Sequence, residues 1–207
     1  MPKRPPWPAA TVASPLLFLA LQGCASPMTP SDATYPPPGH FPATKNRLKD
    51  GPFRFWQHNF AVYTAATWGA RVTYGPHVIK DEPDHEMTTP PEAMKPGRVQ
   101  RMRAGWVGLR NFPGPVVMDW RSRDGTPLHY ELDFAKLFAD GLIRHDVPEH
   151  EINPDASVPD PDIIVEITDR TVRVYMRAFI SLKAPRDPGN RYTNAVDENV
   201  LVFEKTL

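Results

Sequence analysis

The chain has 207 residues, 24 basic and 24 acidic, and a balance this neutral supplies no electrostatic footprint for nucleic acid, which selects a basic domain. That length suits one domain around a single core, and the 26 prolines, about two and a half times the usual ~5%, point to looped, strand-rich chain because proline interrupts helices and keeps to strand edges. The single cysteine, Cys24, excludes a disulfide frame and a Cys-rich zinc site.

The chain opens with Lys3 and Arg4, an apolar run from Val12 to Leu21, and then Leu21-Gln22-Gly23-Cys24. A basic start followed by a short apolar run has the shape of a secretory signal peptide. The run is about half of the ~20 residues a membrane-spanning helix needs. The quartet resembles the lipobox of bacterial lipoproteins, with Gln22 where a small or β-branched residue is usual. That resemblance implies cleavage before Cys24, acylation of its sulfur, and a mature chain whose folded part contains no thiol. Residues 1–23 are then the signal peptide. Residues 24–52, rich in Pro, Ser, Thr and Ala and centred on Pro36-Pro37-Pro38, read as a lipidated tether. Residues 53–207 form the domain.

Within the domain, Phe53–Tyr63 is dense in aromatics and suits a strand, and Trp68, Ala70, Val72 and Tyr74 share one parity in a second. Residues 77–98 are acidic at Asp81-Glu82-Pro83-Asp84-His85-Glu86 and lack apolar periodicity, so a long surface loop is expected. Val99–Phe112 fits a strand or one helical turn and a bend, and strand is favoured. Val116–Arg121 and Leu128–Leu132 alternate on either side of Asp124-Gly125, the turn chemistry of a hairpin. Asp133 can cap a short helix through Phe134, Leu137 and Phe138, closed by Gly141.

Residues 144–161 are polar and proline-punctuated. Ile163–Ile167, a turn at Thr168-Asp169-Arg170 and one long strand from Val172 to Leu182 follow, then a loop over 184–198 and a last strand from Val200 to Phe203. The expected fold is mainly β: an antiparallel sandwich or strongly twisted sheet with one short helix.

The domain offers little chemistry. Its three serines, Ser122, Ser157 and Ser181, lie outside any Gly-x-Ser-x-Gly elbow, and there is no Gly-rich phosphate loop or helical His-Glu-x-x-His pair. His145 and His150 near Asp146, Glu149 and Glu151, or His85 among acids, could gather metal ligands, but Pro148 interrupts the first group and neither fits a helix face. No cofactor, metal or catalytic residue is therefore assigned. Two groups are candidates for gripping a protein partner: Arg173, Tyr175 and Arg177 on the wetter face of the long strand, and the acidic Asp81, Glu82, Asp84 and Glu86. The plainer readings are cross-strand pairing of the arginines with Glu166 or Glu131 and a solvated acidic loop.

Five stretches carry a second resemblance: Trp120-Arg121-Ser122-Arg123-Asp124-Gly125, Leu137-Phe138-Ala139-Asp140-Gly141, His145-Asp146-Val147-Pro148, Asp169–Ala178 and Pro188-Gly189-Asn190-Arg191-Tyr192. They are similar to stretches of small proteobacterial lipoproteins encoded beside type VI secretion spike and phospholipase effector genes. The similarity spans roughly residues 116–207. It implies a periplasmic immunity protein that binds and blocks a secreted phospholipase effector, held to the membrane by its lipid. Ala25 stands where inner-membrane lipoproteins of enterobacteria carry Asp, which by analogy implies the outer membrane, facing the periplasm. A structural or envelope-assembly lipoprotein without a toxin partner is the alternative, and a hydrolase using a carboxylate pair such as Asp84 and Glu86 is a third reading.

Overall fold

The strongest alternation in the sequence sits at the centre of the molecule. In the computed structural model, which describes residues 46–207, Asp162–Thr168 (β7) and Thr171–Arg177 (β8) form an antiparallel hairpin. Asp169 turns it at a positive φ of 52°, as the Thr-Asp-Arg triplet leads one to expect. Signal peptide, Cys24 and the tether up to residue 45 lie outside the described residues. The remainder of the expected tether is already docked: Val158 N–H donates to Asn46 O at 2.9 Å, and the Asn46 amide donates to Arg54 O at 2.7 Å.

Gln57–Ala65 (β1) pairs with β7 in parallel, Trp106–Arg110 (β4) lies beyond β1, and Asn199–Thr206 (β11) lies beyond β8. The five-stranded sheet thus runs β11-β8-β7-β1-β4. Trp68–Tyr74 (β2), His77–Asp81 (β3), Val116–Arg121 (β5) and Pro127–Leu132 (β6) form a second sheet in the order β3-β2-β5-β6. The inward parities of both sheets share one core: Phe60 and Val62, Val72 and Tyr74, Met118 and Trp120, Ile163 and Val165, Val174 and Met176. This is the expected β-sandwich, with one departure from antiparallel order. The β1–β7 pair is parallel because the long connection between them, which contains the whole second sheet, returns β7 in the same direction.

Three local details carry the sheets together. Asp124 turns the β5–β6 hairpin as expected, its carboxylate accepting from Ser122 Oγ at 2.5 Å, Thr126 Oγ1 at 2.7 Å and Arg170 at 2.8 Å. Asp133 caps the helix Phe134–Leu137 by accepting from Ala135 N–H at 2.9 Å. Trp120 Nε1 donates to Asp169 O at 2.6 Å, tying the second sheet to the β7–β8 turn.

Three expectations need correction. The loop over 77–98 begins with the strand β3, since Gly75, at φ 52°, folds the chain straight back; a Cβ there would meet Pro113 O at 2.6 Å. Val99–Phe112 is not one strand: a helical turn over Arg98–Arg101 (α1, which precedes the capped helix α2) leads into β4, so among the described residues two short α-helices, beside a few 3-10 turns, stand where a single helix is expected. The long strand from Val172 stops at Arg177, because both neighbours begin opposite that residue, β7 at Asp162 and β11 at Asn199. Ile180–Ser181 (β9) then pairs separately with Ala195–Val196 (β10). The alternation persists past the break because Ala178, Ile180 and Leu182 still face the core.

Candidate functional site

Residues 82–105 form a strap. From the end of β3 it runs beside the Ala66–Thr67 corner, where Thr88 N–H donates to Thr67 O at 2.9 Å and Ala66 N–H to Thr88 O at 2.8 Å. It then crosses the outer face of the five-stranded sheet. There Val99 and Met102 close a small apolar cluster with Tyr63, Ile164 and Tyr175. Val99 and Met102 stand three residues apart, one turn of helix, which is why this segment coils before it extends.

The strap is held by polar side chains of the sheet. Glu166, buried on β7, forms an ion pair with Arg98, accepts from the Tyr175 hydroxyl at 3.2 Å and lies 3.9 Å from Arg173. Arg98 also donates to Thr64 O at 3.1 Å. Asn199, at the start of β11, donates its amide to Val99 O and to Met102 O. Burial, with Glu166 beside it, pushes the Tyr175 hydroxyl up to about 12, so it remains a proton donor throughout the neutral range. Arg173 pairs with Glu204 at 2.5 Å, and Arg177 with Asp162 at 2.9 Å and with Asp197. Between strap and sheet lies an open groove of about 630 Å3, lined in part by Lys95, Arg98, Thr168, Arg173, Asn199 and Leu201.

Arg173, Tyr175 and Arg177 are therefore together on one face, as their parity requires, but Tyr175 is buried and the arginines are engaged within the molecule. The pairing with Glu166 is observed; Glu131 is exposed on β6 of the other sheet.

The acidic residues sit elsewhere. Asp81 pairs across the β2–β3 ladder with Arg71 at 2.5 Å. Glu82 accepts from Thr64 Oγ1 at 2.7 Å and Lys80 at 2.9 Å. Asp84 accepts from Arg121 Nε at 3.0 Å, and Glu86 is exposed. Among the described residues no group of three or more His, Cys, Asp or Glu side chains is placed to hold a metal ion. His145 instead packs its ring on Phe53 at 5.6 Å.

Two features escape the sequence. His58 is wholly buried; its Nδ1 donates to Asn111 Oδ1 at 2.5 Å and its Nε2 accepts from the Tyr74 hydroxyl at 3.1 Å. Burial lowers its pKa from 6.5 to about 4, so the ring is neutral and one proton arrangement satisfies all three side chains. The other feature is β4. It ends its sheet, and two of its side chains are exposed, Trp106 at 41% and Val107 at 77%. Trp106 leans on His77 with ring centroids 5.8 Å apart. Apolar side chains on a sheet edge are what natural edges avoid, because the unpaired backbone there invites another chain. Comparisons with protein-family models, curated proteins and solved structures find no match for this chain.

Proposed function

We propose that this protein is a lipid-anchored binding protein of the bacterial envelope, and that it acts as an immunity protein against a secreted phospholipase effector. The observation that supports binding is the β4 edge, where Trp106 and Val107 face solvent on a strand with no neighbour beyond it among the described residues. The effector enters through the resemblance of residues 116–207 to lipoproteins encoded beside such effectors. On this reading Cys24 is acylated, the anchor lies in the outer membrane, the domain faces the periplasm, and protection is by occlusion rather than catalysis. An interface of ordinary size, about 1,600 Å2 in total, covers an enzyme's entrance.

The test is to delete the gene and deliver the neighbouring effector to the periplasm. Cells are expected to lose viability and to recover when the chain is restored. Purified protein is expected to abolish the effector's lipase activity. Cys24→Ser is expected to remove the lipid and release the protein from the membrane fraction while leaving inhibition in solution intact. Undiminished survival of the deletion strain overturns the immunity reading, and an envelope defect without effector would favour an assembly role.

A further inference from the structure

The hairpin of β9 and β10 closes through a long exposed arm. Thirteen residues, 182–194, separate strands of two residues each, although a two-residue turn is enough to close a hairpin. Seven of them in a row, Arg186 to Tyr192, are exposed. The arm's shape is fixed from within: Asn190 N–H donates to Asp187 O at 2.9 Å, and Arg186 N–H to Thr193 O at 3.0 Å. The Asp187 carboxylate accepts from Gly189 N–H at 2.9 Å, and Asn190 Oδ1 from Tyr192 N–H at 3.1 Å. At the tip Tyr192 is 77% exposed; Arg191 lies 5.0 Å from the centroid of that ring and donates to its hydroxyl at 3.0 Å. The foot of the arm adjoins the place where the chain from Cys24 enters the domain, because residues 151–158 bond to both. Val158 N–H donates to Asn46 O at 2.9 Å and Lys49 N–H to Pro154 O at 3.4 Å, while Asn153 N–H donates to Ser181 O and Lys183 N–H to Glu151 O, each at 2.9 Å.

We propose that this arm docks on the lipid surface that holds the anchor, with Tyr192 at the level of the headgroups and Arg191 on lipid phosphate. The proposal rests on the acylation of Cys24 in the reading above. What commits the tip to a bilayer rather than to a protein is the entry of the anchored chain beside the arm's foot. Asn46 is 22 residues from Cys24, at most about 75 Å of chain, so acylation keeps the arm at a high effective concentration next to the membrane. Tyrosine suits the membrane–water boundary because its ring is apolar and its hydroxyl is wet, and a guanidinium takes phosphate through paired N–H donors. One tyrosine and one arginine are too little to hold a free protein on a bilayer; they act here as a second signal beside the acyl chains. A tip already held in shape loses little freedom on docking. The contact would turn this end of the domain toward the lipid.

The experiment compares the full acylated chain, inserted into vesicles of phosphatidylethanolamine and phosphatidylglycerol, with Cys24→Ser protein free in buffer. Hydroxyl-radical oxidation, read by mass spectrometry, reports the exposure of Tyr192, with Trp106 as the reference. Anchoring is expected to lower oxidation of Tyr192 by about threefold or more and to leave Trp106 unchanged. Amide exchange over residues 188–193 should slow on anchoring in the wild type but not in Arg191→Ser combined with Tyr192→Ser, two changes at exposed positions outside the core. Equal oxidation of Tyr192 in both states overturns the proposal, as does equal protection of Tyr192 and Trp106, or slowing that persists in the double variant. Protection in the free protein that grows with its concentration overturns it in favour of a second copy. Protection that appears only when the effector is added overturns it in favour of a protein contact. The mass of the N-terminal peptide reports the anchor separately. With an acyl group present and Tyr192 unprotected, the docking proposal alone fails; with no acyl group, the anchored reading fails and docking falls with it.

Discussion

His58 shows how one side chain can link the core to solution pH. Its folded pKa, about 4, lies below the unfolded value of 6.5, so between those values the unfolded chain binds the extra proton. The contribution is complete above about pH 6.5 and declines as pH falls toward 4, by up to roughly 3 kcal/mol. Urea unfolding at pH 7 and pH 4.5 is expected to show that loss in the wild type and a smaller one in His58→Phe. The variant should also be weaker at pH 7 by about 1–3 kcal/mol, because Asn111 Oδ1 loses a buried partner. Glu166 makes the complementary case. Removing it by Glu166→Ala leaves Arg98 and Tyr175 without their carboxylate, and the expected cost is about 3–5 kcal/mol in chemical denaturation.

At the scale of elements, the strap over residues 82–105 is the part whose conformation depends most on side chains from elsewhere. Its helical turn is too short to persist alone, and Asn199 fixes it by holding Val99 O and Met102 O. Asn199→Ala is expected to lower global stability by about 1 kcal/mol and to accelerate amide exchange selectively over residues 98–105. Uniform acceleration across both sheets would show that the strap unfolds only with the core. The strap also explains why acidic residues 81–86 were legible only as a charged run. Apart from Lys80, which reaches Glu82 two residues on, their partners Arg71, Thr64 and Arg121 come from β2, β1 and β5, at separations of ten residues or more.

Across the whole molecule, two sheets meet around one core and are pinned at one end by Trp120 Nε1 on Asp169 O. Trp120→Phe keeps most of the ring's apolar burial and removes that bond, so a loss of about 1–2 kcal/mol is expected in thermal or urea unfolding. A change below ~0.5 kcal/mol would show that packing alone joins the sheets there.

What the sequence determined by itself was the mainly β class, the inward parities of β2, β5, β7 and β8, the Asp124-Gly125 and Asp169 turns, and the capped helix after Asp133. Each follows from side chains a few residues apart, where alternation and capping act through local geometry. The tertiary structure alone decided the parallel pairing of β1 with β7, the end of β8 at Arg177, the strap over the outer face, and the burial of Tyr175 and His58. Strand order and the exposure of β4 belong with these. They depend on which backbone lies alongside which, and that choice is made by the shared burial of residues far apart in the chain.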